Sequence, residues 1–321
     1  MKKYLSLLLV LVLVFSALSL SSCGEQKDTI GIIQFGSHES LNNCYKGIME
    51  GLGEAVDLSK YNVEYVNSNF AAESSLAQAK KMVNSNAKVI IAIATPSAIQ
   101  AATAATGKNI PVVYCAVTDA SQVANFRNMT GTSDVPDFKA QLELVTAFFG
   151  RDDVKIGVLM STEESSDPAQ LLALQNEAKA YDGMLIETET VADITTIDVK
   201  VSSLINKEID CIVNLLDNTI VGKLQNILSI ANNAKIPVFG SEIEQVKSGC
   251  LASASIDYIT VGRLAGRQAA EILAGKAASE IAPKTMENET FPCYNSEVLA
   301  SFGNLTLPKN IEGLKDVKAE N

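Results

Sequence analysis

The chain has 321 residues, with 26 Lys and Arg against 37 Asp and Glu, and a formal charge of −11. So acidic a surface repels nucleic acid and anionic lipid headgroups, which excludes both as partners recruited by charge. The single histidine, His38, and cysteines without any CxxC spacing argue against a zinc centre or a Ser-His-Asp triad, and neither a catalytic residue nor a cofactor is expected.

The chain opens on Met1-Lys2-Lys3, followed by an uncharged apolar run over 5–20 and then Leu20-Ser21-Ser22-Cys23-Gly24. A bilayer span needs about 18 to 20 apolar residues, so the run is short for a stable transmembrane helix. Its flanks fit a cleavable export signal. Small residues ending on a cysteine form a lipobox, which predicts removal of residues 1–22 and lipid, including palmitate, on Cys23. Residues 23–28 then form a lipid-anchored linker, and the rest is an extracytoplasmic domain. Losing Lys2 and Lys3 takes the charge from −11 to −13. The alternative is an uncleaved N-terminal anchor. Cys44, Cys115, Cys211, Cys250 and Cys293 remain, an odd number at wide spacings, and are expected to be small buried hydrophobes.

Beyond the signal, short β-branched runs alternate with amphipathic stretches. Strands are expected at 29–34, 63–67, 89–94, 112–117, 155–160, 184–191, 211–215 and 238–240. Helices are expected at 41–56, 72–84, 98–106, 138–149, 169–181, 196–205, 220–232 and 258–273. This rhythm predicts an α/β chain of βαβ units with parallel sheets covered on both faces. Val-Ile-Ile-Ala-Ile-Ala at 89–94, apolar throughout, fits a central strand.

The chain also repeats itself. Ile30-Gly31-Ile32-Ile33 is echoed by Ile156-Gly157-Val158-Leu159, and Ile110-Pro111-Val112-Val113 by Ile236-Pro237-Val238-Phe239; both pairs are offset by 126, from 31 to 157 and from 111 to 237. A shared offset predicts two similar doubly wound lobes, one from 29–120 plus 257–285 and the other from 133–253 plus 290–310. Three hinge segments, 121–132, 254–256 and 286–289, would join them into a clamp that closes by rotation.

Ligands of open α/β sheets bind at the carboxyl ends of strands, beside helix N-termini. After strand 89–94 come Thr95-Pro96-Ser97, where hydroxyls and unpaired N–H groups suit a carboxylate. Pro96 fits a first helical turn. The plain alternative is an N-cap serving only its helix. The matching place in the second lobe is Asp217-Asn218-Thr219, where a negative side chain suits an ammonium group, or again a cap. A carboxylate receptor facing an ammonium receptor suits a zwitterionic α-amino acid. Other polar strand ends lie at 34–40, with Ser37 and His38, at Thr118-Asp119, at 161–165, with Glu163, and at Ser241-Glu242. Ser133-Asp134 and Asp257 lie on linking segments that a closing cleft would touch. His38 is either a wall of the pocket or a solvated loop residue, and Phe35 either stacks on the ligand or fills the core.

The motifs Ile91-Ala92-Ile93-Ala94-Thr95-Pro96-Ser97-Ala98, Ala116-Val117-Thr118-Asp119, Thr130-Gly131-Thr132-Ser133-Asp134, Asp217-Asn218-Thr219 and Ser255-Ile256-Asp257-Tyr258 occur in this order. With Ala234-Lys235-Ile236-Pro237-Val238-Phe239 and Gly262-Arg263, the chain resembles the ABC-transporter substrate-binding lipoproteins of the tryptophan and aromatic amino acid type. The resemblance runs over essentially all of the chain after the signal. It implies a type I periplasmic-binding-protein fold, no catalysis, and delivery of a small ligand to an ABC permease and its ATPase. It also implies that Thr95 and Ser97 hold the ligand carboxylate near Thr118, and that Asp217 holds the α-amino group, helped by Asn218, Thr219 or Asp257. Glu39-Ser40 replaces a proline-containing turn common after this histidine in relatives, which leaves the wall around the ligand side chain open. A sugar or nucleoside ligand, or a role as surface adhesin or sensor, is the alternative.

Overall fold

The computed structural model describes residues 27–286 and 290–319. The predicted signal, Cys23 and residues 287–289 of the third predicted hinge lie outside them.

Its strands in chain order are β1 (Asp28–Gln34), β2 (Tyr61–Asn67), β3 (Val89–Ile93), β4 (Val112–Cys115), β5 (Met129–Ser133), β6 (Lys155–Ser161), β7 (Leu185–Val191), β8 (Cys211–Val213), β9 (Val238–Phe239), β10 (Ala252–Ser255), β11 (Lys284–Thr285), β12 (Phe291–Tyr294) and β13 (Lys315–Asp316). The helices are α1 (Glu39–Gly53), α2 (Ala72–Asn84), α3 (Thr95–Ala105), α4 (Phe138–Phe149), α5 (Asp167–Ala178), α6 (Ile197–Ile205), α7 (Asn218–Val221), α8 (Leu224–Asn233), α9 (Ile243–Lys247), α10 (Tyr258–Leu273) and α11 (Ser296–Leu299).

The first sheet has the order β11-β5-β4-β3-β1-β2, with every pairing parallel. The second has the order β7-β6-β8-β9, also parallel. β1 and β6 hold the same place in the two sheets, as do β4 and β9, so the 126-residue repeat marks two equivalent lobes. β10 continues from β9 through Leu251 N–H to Val238 O at 2.7 Å, and pairs antiparallel with β12. Each sheet is covered by helices on both faces, as its apolar strands require; all five side chains of β3 are buried.

The first lobe is tied together by α1 lying against α10. A Cβ on Gly47 would sit 2.1 Å from the Ile259 carbonyl oxygen, and one on Gly262 2.1 Å from that of Cys44. These glycines let the two helix backbones touch.

Three expectations are corrected. The segment 121–132 is not a hinge as a whole: Met129–Ser133 is a buried strand in the first sheet, and the chain crosses between lobes at 134–137. The second crossing likewise starts after Ser255, the last residue of β10. The single helix expected over 220–232 is two, α7 and α8, parted at Gly222-Lys223. The five cysteines are free thiols with no solvent exposure, packed as apolar groups.

Candidate functional site

The strand ends of the two lobes face each other, and polar side chains close the gap. His38 Nε2 donates to Asn218 Oδ1 at 3.0 Å, and Ser40 gives its hydroxyl hydrogen to Glu242. Asn43 Nδ2 donates to Glu244 at 3.1 Å, and Gln122 Nε2 to the Ser165 carbonyl at 2.9 Å. Between these contacts lies a cavity of about 20 Å³, room for a water molecule. From the first lobe and the crossings it is walled by His38, Ser40, Thr118, Asp134 and Tyr258; from the second by Asp217, Asn218, Ser241, Glu242 and Gln245.

The first-lobe wall is set by strained backbone. Ala94 has φ 77° and ψ 154°, and Ala116 has φ 56°. Both follow the ends of adjacent strands, and such strain collects where a fold holds a ligand. Beyond Ala94, Pro96 sits in the first turn of α3, and no side chain caps that helix. Thr95 Oγ1 accepts from Thr118 N–H at 3.3 Å, and Ser97 Oγ shares a hydrogen bond with Ser75 Oγ at 3.0 Å. Thr95, Pro96 and Ser97 are therefore buried just behind the cavity wall rather than in it. Thr118 and Tyr258 both donate to Asp134, at 3.1 and 2.8 Å. Burial nevertheless raises the Asp134 carboxyl above its usual range, against the pull of those bonds.

The second-lobe wall is built on carboxyl groups. Asp217 is fully buried and caps α7, accepting from Thr219 N–H at 2.8 Å and Ile220 N–H at 3.0 Å, while its other oxygen takes Ser161 N–H at 2.6 Å. Beside it, Asp167 is pushed up to about 11, first by burial and then by the Asp217 charge, and is neutral. Glu164 is raised to about 8 by burial and by Asp217, though Asn218 Nδ2 donates to it at 2.9 Å. Glu242 is raised to about 8, chiefly by burial. His38 is lowered to about 4 by burial, against the Asn218 hydrogen bond, and is neutral. None of the side chains around the cavity is a lysine or arginine.

Of the residues singled out from sequence, His38, Thr118, Asp217 and Asn218 meet at the cavity. Ser37 is exposed. Ser133 is buried in β5, where its carbonyl accepts from Met286 N–H at 3.0 Å. Glu163 points into a separate groove between the lobes that Thr219 also lines, and its neighbour Glu164 takes the inward place. Asp257 is exposed and caps α10 through Ile259 and Thr260 N–H. Phe35 belongs to the core, edge-on to Phe70. Ser40, Asp134, Ser241 and Glu242, named from sequence only as polar strand-end or linking positions, also line the cavity; Gln245 and Tyr258 line it too and were given no ligand role, since both lie inside helices.

A family model described as ABC transporter substrate binding protein matches residues 29–309. The chain is 32% identical over 305 residues to a tyrosine-binding protein of Clostridioides difficile, covering 92% of this chain and 86% of that one. It is similar to the structure of an ABC domain in complex with L-Trp from Streptococcus pneumoniae, at 27% identity and TM-score 0.83, over 90% of this chain and 100% of that one. The ligand-free, open structure of a substrate-binding protein with adhesive properties from Clostridium difficile matches at 27% identity but TM-score 0.66, over 90% and 99% of the two chains. Identity and coverage of this chain being equal, the lobes here sit nearer to the arrangement of the ligand-bound structure than to that of the open one. The chain has the two-lobed periplasmic-binding-protein fold and belongs to the ABC transporter substrate-binding protein family, whose members bind solutes and are not enzymes.

Proposed function

We propose that this chain is an extracytoplasmic receptor, anchored by lipid on Cys23, that closes on an aromatic α-amino acid and hands it to an ABC permease. The observation that carries the reading is the composition of the interlobe cavity: acceptor-rich, without a cation, and backed by the uncapped N-terminus of α3. An ammonium group finds Asp217, Asn218 and Glu164 on the second-lobe side. A carboxylate finds the first turn of α3, behind Thr118, where unpaired N–H groups and the helix dipole favour an anion. The likeness to a tyrosine-binding protein and to an L-Trp complex supports an aromatic side chain. The walls meet so closely that ligand enters only when the lobes part. Lipid on Cys23 would keep the loaded clamp at high effective concentration beside its permease.

A thermal-shift screen of the purified protein against the twenty amino acids, sugars and nucleosides tests the ligand class. A ligand at 100 times its Kd stabilises by about 2.7 kcal/mol. A shift with a sugar or nucleoside and none with any amino acid sinks the reading. Cys23→Ala tests the anchor separately: the protein should leave the membrane fraction, and retention there argues for an uncleaved segment instead.

A further inference from the structure

We infer that Glu242, with His38 beside it, reads the ligand side chain by accepting a hydrogen bond, so that a phenolic O–H or indole N–H is preferred over the bare ring of phenylalanine. The inference rests on the proposed binding of an aromatic amino acid and goes on to name the group that discriminates among them.

The donors and acceptors of the cavity wall do not balance. The hydroxyl hydrogens of Ser40, Thr118, Ser241 and Tyr258 are all given to acceptors of the protein itself: Glu242, Asp134, the Leu215 carbonyl at 3.2 Å, and Asp134 again. Asn218 Nδ2 gives one of its two hydrogens to Glu164, and Gln245 Nε2 gives one to Ser241 Oγ at 2.7 Å. Acceptors are in excess. His38 donates through Nε2 and so presents an unprotonated Nδ1, which is buried without a partner. Glu242 is buried and accepts from Ser40; even as the neutral acid that it is below about pH 8, it keeps carboxyl lone pairs beyond the one Ser40 uses.

Position adds to this. Asp217 has both oxygens engaged by three backbone N–H groups, and it stands with Asn218 and Glu164 where one ammonium group suffices. Glu242 lies on the same lobe, against Ser40 and near Tyr258 and Asp134 of the first-lobe side. With the α-ammonium placed at Asp217, the Glu242 carboxyl and the unpartnered His38 Nδ1 are left for a second donor on the ligand. A ring without one leaves buried acceptors unpaired, which costs about tenfold in affinity or more.

The test is calorimetric titration of L-tyrosine, L-tryptophan and L-phenylalanine into the wild-type protein, Glu242→Leu, and Glu242→Gln as the variant that keeps volume and one acceptor oxygen. The wild type should bind tyrosine or tryptophan about tenfold or more tighter than phenylalanine. Glu242→Leu should bring the three ligands to within about threefold by weakening the donor-bearing ones alone, and Glu242→Gln should keep most of the preference. A merely structural role for Glu242 would weaken all three alike, and that result overturns the inference, as does a wild type that binds phenylalanine equally well. Both leave the proposed function standing. Failure of every aromatic amino acid to bind removes that reading, and this inference with it.

Discussion

His38 of the first lobe donates to Asn218 of the second across 3.0 Å, and Asn218 passes its own hydrogen to Glu164 at 2.9 Å. The Asn218 amide is thereby fixed, with its oxygen toward the histidine and its nitrogen toward the carboxyl. His38 is held as the neutral tautomer with hydrogen on Nε2, its ring parallel to that of Phe70 at 6.4 Å. One amide thus joins the two halves of the clamp and satisfies a buried acid.

Asn218→Ala removes the bridge and strips Glu164 of a donor. Ligand affinity should fall by about 1 to 2 kcal/mol, roughly five- to thirtyfold, because closure is less favourable. Small-angle scattering of the unliganded variant should show a larger radius of gyration than wild type. An unchanged radius and affinity would show that the bridge does not bias closure.

Asp217 is held by the fold itself, whatever else it binds. Its three accepted backbone hydrogen bonds are buried, and a lost cap alone costs about 1 to 2 kcal/mol. Asp217→Ala should therefore lower the unfolding temperature without any ligand, by several degrees for a chain of this size. Calorimetry without and with ligand separates this loss from any loss of affinity. An unchanged melting temperature would refute the structural role.

Stability should depend on pH in a defined window. Glu164 and Glu242 move from an ordinary 4.5 to about 8 in the closed cleft. Between those values the native state keeps protons that the unfolded chain releases, so the stability these two groups contribute falls as pH rises from 4.5 and levels off above about 8, by up to about 1.4 kcal/mol per pH unit for each group. Asp167, at about 11, acts in the same direction. His38 opposes them: its value drops from 6.5 to about 4, so it withdraws stability as pH falls through that range. Melting temperatures should rise on acidification from about pH 8, less steeply once His38 opposes below about pH 6.5, and flatten only as pH approaches about 4.5. A profile that instead rises with pH across this interval contradicts the buried-acid assignment.

The contact of α1 with α10 leaves no room for a methyl group. Gly262→Ala places a carbon 2.1 Å from the Cys44 carbonyl oxygen, so the helices must separate. Overpacking of this kind costs about 1 to 3 kcal/mol, read as a lower denaturant midpoint at constant m-value. A neutral substitution would mean that the helices slide apart freely.

The five cysteines in the lobes should be silent toward a thiol reagent in the native protein and react in denaturant, since each is fully buried. Rapid labelling of the native protein at any of them would indicate local opening of that lobe.

Much of the fold was legible in the chain. Helices 72–84, 138–149 and 258–273 match α2, α4 and α10 to the residue, because each combines an apolar stripe with clear ends; Asp137 and Asp257 cap two of them. β5 was not legible. Met-Thr-Gly-Thr-Ser has no apolar period, yet its last four residues are buried because β4 and β11 flank it. The break at Gly222-Lys223 was hidden because the apolar pattern runs on across it.

Sequence alone determined the two-lobe α/β plan, the repeat of 126 residues and the rule that polar strand ends face the cleft, since these follow from local periodicity and chain direction. Which polar residues meet there was decided only by the tertiary structure. Glu163 and Glu164 are adjacent acids at the same strand end, and a rotation of one residue turns the first outward and buries the second. Ser40 and Glu242 lie 202 positions apart and become partners only when the lobes come together. Contacts made across a cleft depend on how two rigid bodies are oriented, and no local pattern encodes that orientation.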